Sequence, residues 1–235
     1  MKHLIETENP SGLATVPYDR IVLNSTVNDI IVKGGGYEYV DLGLPSGLKW
    51  AKCNVGAESE TDYGYYFQWG DIVDKSNADC SWESYKYCND SVTTLNKYNS
   101  EPYYGIVDNK TILESVDDAA TQIMGGKWRI PTKDEIYELS VNTNREWITN
   151  YNGSGVNGYK FTSNKEGYQN NSIFIPAAGY REGSSFSYQG IHGEVWSSSV
   201  DTSSAWTLYF YGSDDFVPDS ESFRYRGHSV RGVFK

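Results

Sequence analysis

Apolar residues along this chain alternate with polar ones more often than they recur at the three-and-four spacing of a helix. Val40, Leu42 and Leu44 alternate, the triplet Pro45, Ser46, Gly47 is a turn signal, and Leu48 and Trp50 resume the period of two. That pattern predicts a β-hairpin. Later, "GYKFTS", "SIFIPAAGY", "EVWSSS", "AWTLYFY" and "HSVRGVF" predict strand and turn from about Trp147 to Phe234. Within "WTLYFY", Leu208 and Phe210 share one strand face, while Thr207, Tyr209 and Tyr211 share the other. By the same period Trp206 falls with the buried set.

Helical signals are confined to two places. Ser115 is placed to cap "SVDDAATQI", with Asp117 and Asp118 in the first turn and Val116, Ala119, Ala120 and Ile123 on a shared face. After Pro131, Thr132 and Glu135 have the spacing of a capping box, and Ile136 and Leu139 continue a buried side. Between these elements, "DYGYYFQWGD" predicts an aromatic loop or short strand, and residues 74–112 a long ordered insertion without period. Two helices among many short strands predict an α+β fold. Gly34, Gly35 and Gly36 read as a hinge, dividing a short β-rich N-terminal arm (1–36) from the main body (37–235).

Composition changes this picture in one respect. The chain carries 20 Tyr and 7 Trp in 235 residues, a density suited to a recognition surface as well as to a core poor in Leu and Ile. Net charge is −11, which argues against nucleic-acid binding and against docking on anionic lipid. No apolar run approaches the roughly 18–20 residues of a membrane span, so no membrane insertion is expected. The first residues also lack the apolar core of a secretory signal.

Candidate chemistry is sparse. Cys53, Cys80 and Cys88 form no metal-ligand spacing, and free thiols are expected ahead of a Cys80–Cys88 bridge. "WSSS" lacks the G-x-S-x-G elbow of a serine nucleophile, and serines there serve better as partners of the backbone. No phosphate-cradling glycine loop occurs. No cofactor is expected; Ca2+ is the one ion that Asp214, Asp215, Asp219 and Glu221 could take, although no EF-hand spacing is present and a solvated acidic loop is the simpler reading.

The blocks "YVDLGLPSGLKWAKCNVGA", "DYGYYFQWGD", "DDAATQIMGGKWRIPTKDEIYEL", "NSIFIPAAGY" and the closing "WSSS" to "SVRGVF" occur in order from about Tyr37 to Phe234. Together they resemble the major-paralogous-domain proteins of Bacteroidetes and Fibrobacter. The resemblance implies a C-type-lectin-like fold, shared with formylglycine-generating enzymes and with the variable proteins of diversity-generating retroelements. In the variable proteins, fixed residues hold the fold while mutagenised ones face the ligand.

Carried onto this chain, the resemblance implies a fixed frame of Trp196, Ser197, Ser198, Ala205, Leu208, Phe210, Arg226, Gly227, Ser229, Val230 and Arg231. The implied ligand-facing set is Trp206, Tyr209, Tyr211, Asp214, Asp215, Phe216, Asp219, Glu221, Phe223, Tyr225 and His228, within a variable-type region of about 190–234. The late Cys pair of the enzyme branch is missing, as are the E-P-N, Q-P-D and W-N-D calcium motifs of sugar-binding lectins, so neither activity is implied. The implied function is a non-enzymatic phage tail-tip protein on the virion, adsorbing to a host cell-surface protein or glycan. Residues 1–36 would attach it to other tail proteins, and a homo-oligomer, a trimer, is expected. A bacterial cell-surface or pilus-tip adhesin is the alternative.

Overall fold

A computed structural model of the chain describes residues 32–34 and 36–235. The expected arm therefore lies almost wholly outside the described residues. In chain order the first strands are β1 (Val32–Gly34), β2 (Tyr37–Asp41) and β3 (Lys49–Ala51). Two helices follow, α1 (Ala119–Met124) and α2 (Lys133–Val141). Next come β4 (Thr143–Ile148), β5 (Gly158–Ser163), β6 (Ser172–Pro176), β7 (Tyr180–Glu182) and β8 (Ser185–Ser187). The last strands are β9 (His192–Asp201), β10 (Ser204–Tyr211), β11 (Asp215–Phe223) and β12 (Val233–Phe234). The result is an α+β arrangement of small antiparallel sheets with two α-helices among the described residues.

The hairpin read around Pro45–Gly47 is present: β2 pairs with β3, Val40 opposite Trp50, and the Gly47 amide closes the turn onto the Leu44 carbonyl at 2.8 Å. On the other side β2 pairs with β1, Gly34 opposite Tyr37. Gly34 and Gly36, two of the glycines expected as a hinge, thus lie where β1 gives way to β2. β12 completes this sheet against β3. A second sheet has the order β11–β10–β9 and a third the order β4–β5–β6, while β7 and β8 form a two-stranded ribbon.

Both bonds of the Thr132 capping box on α2 are made: the Glu135 amide donates to the Thr132 hydroxyl and the Thr132 amide donates to the Glu135 carboxylate. The cap of α1 differs from the sequence reading. Ser115–Asp117 form a separate 3-10 turn, and Asp118 caps α1 by accepting from the Thr121 amide at 2.8 Å. Its second oxygen accepts from the Ile130 amide, also at 2.8 Å, which ties the helix start to the segment leading into α2. Val116 consequently points to solvent, and Ala119, Ala120 and Met124 form the buried side. The long insertion is ordered, with short 3-10 turns at Val92–Thr94 and Pro102–Tyr104. All three cysteines are free.

Two cores lie on either side of β9 and β10. Trp69, Tyr98, Trp128, Trp196, Val230 and their neighbours fill one; Leu42, Trp50, Ile136, Phe161, Leu208, Phe210 and Val233 belong to the other. The stretch 227–233 runs between them and bonds to several elements in turn. It bridges Phe67 through His228, β9 through Ser229, and Arg129 through Val233. The Val230 and Gly232 carbonyls accept from the amides of Val55 and Ala51. Arg231 is fully buried and donates to Asn54 Oδ1, to the carbonyls of Ala51 and Lys52, and to the Phe174 carbonyl. Burial lowers its guanidinium from the usual value to about 10.

Candidate functional site

β9 and β10 carry the centre of the site because their ladder sets residues opposite one another on one face. Tyr209 pairs with Glu194, and Tyr211 pairs with His192. Residues on the opposite side of β10, Leu208 and Phe210, enter the core. Phe210 can do so because its partner is Gly193: a Cβ there would come within 1.9 Å of the ring. The β7–β8 ribbon adds Tyr180 and, just beyond β8, Tyr188. Edge strand β11 adds Ser220 and Glu221, and the loop after it adds Arg226. Together these nine residues line an open cleft of about 310 Å3.

The cleft wall is aromatic and organised around His192. Its ring centre is 4.9 Å from Tyr209, 5.4 Å from Tyr180, 6.2 Å from Tyr188 and 6.4 Å from Tyr211. Tyr188 and Tyr211, 53% and 42% exposed, form the outer rim. Burial pushes the phenols of Tyr180 and Tyr209 above their ordinary range, so both remain neutral. At the floor Glu194 is buried, and one of its oxygens accepts from the Thr207 hydroxyl at 3.1 Å. The other lies 3.3 Å from His192 Nε2 and 3.6 Å from His228 Nε2.

Arg226 links the cleft to a second aromatic group. Its guanidinium lies 5.0 Å from the Tyr180 ring centre and 5.6 Å from that of Phe223, and it pairs with Glu182 at 3.1 Å. Glu182 also accepts from the Tyr225 hydroxyl. Tyr225 stacks on Phe223 at 5.8 Å and packs at 5.1 Å against Trp82, which comes from the insertion. Arg226 thus joins the cleft, at Tyr180, to a shelf formed by Phe223 and Tyr225.

The residues expected to face a ligand therefore separate. Tyr209, Tyr211 and Glu221 line the cleft, and Phe223 and Tyr225 form the adjoining shelf. Asp214, Asp215 and Asp219 are exposed at the β10–β11 hairpin and along β11. Phe216 lies elsewhere: half-buried, it packs on Tyr159 and Phe161 with the Arg145 guanidinium 4.2 Å from its ring centre. Trp206 is also away from the cleft, beneath Lys133 at the start of α2, whose ammonium lies 3.1 Å from the ring centre. His228 is a correction. At 0% exposure it lies behind the cleft floor, its ring 4.3 Å from that of Trp196, because it belongs to the buried stretch 227–233.

Of the expected frame, Trp196, Ser197, Ser198, Ala205, Leu208, Phe210, Gly227, Ser229, Val230 and Arg231 are buried; Arg226 is half-buried and lines the cleft. The serines of "WSSS" bond to backbone: the Ser198 amide and hydroxyl both donate to the Pro131 carbonyl, and the Ser197 carbonyl accepts from Trp69 Nε1. Sequence reasoning missed Tyr180, Tyr188, His192 and Glu194. The alternation that continues backwards from Trp196 through Glu194 to His192 is the signal that could have found the last two.

Ser222, His228 and Glu194 come together but do not form a nucleophilic relay. Ser222 Oγ lies 2.7 Å from His228 Nε2, the same nitrogen that faces Glu194, and Nδ1 is buried without a partner. A serine–histidine–carboxylate relay needs the carboxylate on the other ring nitrogen and an accessible hydroxyl; Ser222 is buried. Among the described residues no group of three or more His, Cys, Asp or Glu is arranged to hold a metal ion, Asp214, Asp215, Asp219 and Glu221 included. No described helix is long and apolar enough to cross a membrane. No family model, curated protein or solved structure matches the chain.

Proposed function

We propose that this domain is a non-enzymatic binding module whose ligand-facing surface is the cleft of Tyr180, Tyr188, Tyr209 and Tyr211 together with the Phe223–Tyr225 shelf. The observation that carries the reading is a division along one strand: Leu208 and Phe210 are buried while Tyr209 and Tyr211 line an open cleft on the other face. Tyrosines offer large contact area at small entropic cost, and a sheet holds them in place before a ligand arrives. The resemblance to retroelement variable proteins extends the proposal. In it the domain is C-type-lectin-like, residues of this face are diversified, and the protein adsorbs a phage tail to a host-surface protein or glycan.

The deciding experiment replaces Tyr209, Tyr211, Phe223 and Tyr225 with Ala together and measures binding to host cells alongside thermal unfolding. Loss of cell binding with a nearly unchanged Tm is expected, each anchor contributing about 1–3 kcal/mol. A large fall in Tm, or binding that survives, overturns the reading.

A further inference from the structure

The charges around the cleft are unevenly paired. Glu194 sits at its floor in a buried position, and its ion-pair distances are to two imidazoles; neither Lys nor Arg reaches it among the described residues. One of those imidazoles, His228, is held neutral near pH 7 because burial pushes it down to about 4. At the rim Glu221 is exposed and makes no ion pair among the described residues. The one cationic side chain of the lining, Arg226, is already paired with Glu182. His192 lines the cleft with only 5% exposure; its Nε2 is buried, makes no well-aligned hydrogen bond and faces the Glu194 carboxylate at 3.3 Å. A buried carboxylate beside a cavity, with no Lys or Arg opposite it, is costly unless a ligand supplies the cation.

We propose that the cleft receives a cationic group, an ammonium or guanidinium borne by the ligand, held among the rings of Tyr180, Tyr188, Tyr209 and Tyr211 and directed towards Glu194. Aromatic faces carry negative quadrupole charge and attract a cation most strongly where water is excluded. The buried carboxylate supplies the counter-charge in the same low-dielectric place, where Coulomb attraction is strongest. A primary ammonium additionally brings N–H donors to Glu194. An anionic ligand group would meet Glu194 and Glu221 with the same sign of charge. This inference rests on the binding role proposed above and names the chemistry that the cleft selects.

The test titrates the whole protein with three small probes while following the aromatic NMR signals of Tyr209 and Tyr211. The probes are choline, its neutral isostere 3,3-dimethyl-1-butanol, and a methyl glycoside. Choline is expected to shift both tyrosine signals, with an affinity about tenfold above that of the neutral alcohol. Tyr211→Ala, an exposed change that the fold tolerates, should abolish the preference for the charged probe. Glu194→Gln should reduce it while leaving the weak binding of the alcohol in place. Equal affinity for choline and the alcohol, a response to the glycoside alone, or no response to any probe overturns the inference. None of these results touches the binding role, which the four-alanine variant on cells decides separately.

Discussion

His228 offers the sharpest test of how the cleft floor is built. An exposed histidine titrates near 6.5, whereas burial pushes His228 down to about 4, with Arg226 and His192 acting in the same direction and Glu194 and Glu182 against it. Above pH 6.5 neither the folded nor the unfolded chain is protonated at this position, so its contribution is level. Below 6.5 the unfolded chain binds a proton that the folded domain does not, and stability falls with pH until the folded histidine also titrates near 4. At about 1.4 kcal/mol per pH unit, the interval down to about pH 4.5 removes about 2–3 kcal/mol. The assay is urea unfolding at several pH values across that interval, on the wild-type protein and on His228→Gln. Glutamine keeps a polar group beside Ser222 and cannot titrate. The variant should start less stable at neutral pH and lose about 2–3 kcal/mol less than the wild type on acidification to about pH 4.5. Parallel losses in the two proteins would refute the assignment of His228 as a buried neutral imidazole.

Three other outcomes follow from the packing of the same sheet. Gly193→Ala places a methyl group against the Phe210 ring and should cost about 1–3 kcal/mol, seen as a lower Tm; an unchanged Tm would mean that the strands can separate to admit it. Phe210→Ala should cost about 3–5 kcal/mol by chemical unfolding while Tyr211→Ala costs less than about 1, and similar values would contradict the division between the strand's two faces. Arg231→Lys cannot reproduce the fork that serves Asn54, Ala51, Lys52 and Phe174, and should cost about 3 kcal/mol or more, read from the urea midpoint.

Local rules reached some elements and not others. The β2–β3 hairpin and the Thr132 capping box were legible because turn residues and caps act over a few positions, and nothing distant overrides them. β4 escaped because Asn144, Arg145 and Glu146 are exposed on an edge strand, which leaves no alternation to read. β11 escaped because Pro218 and its acidic neighbours resemble a loop. An edge strand tolerates proline, and here the register slips between Thr207 and Tyr209, so that Pro218 and Asp219 lie across from Leu208. In the site, the period of two separated Tyr209 and Tyr211 from the core correctly. It could not supply Tyr180 and Tyr188, which reach the cleft by tertiary placement of the β7–β8 ribbon. Nor could it separate His228 from Phe223 and Tyr225, which precede it on the surface, since His228 is enclosed by pairing with Phe67, far away in the chain.

The stretch 227–233 also governs when the chain can fold. Strand β3, the bridge at Phe67 and β9 at Val195 each await a partner in residues 228–233. Until that stretch leaves the ribosome, Trp50, Trp69 and Trp196 lack the covering that closes their cores, and the emerging chain presents unpaired backbone beside large aromatic surface. Closure of both cores thus waits until residues 228–233 have been made. A chain cut short within the aromatic run 206–225 lacks the residues that close either core, so the cleft of Tyr209 and Tyr211 is built only in chains that carry residues 227–233.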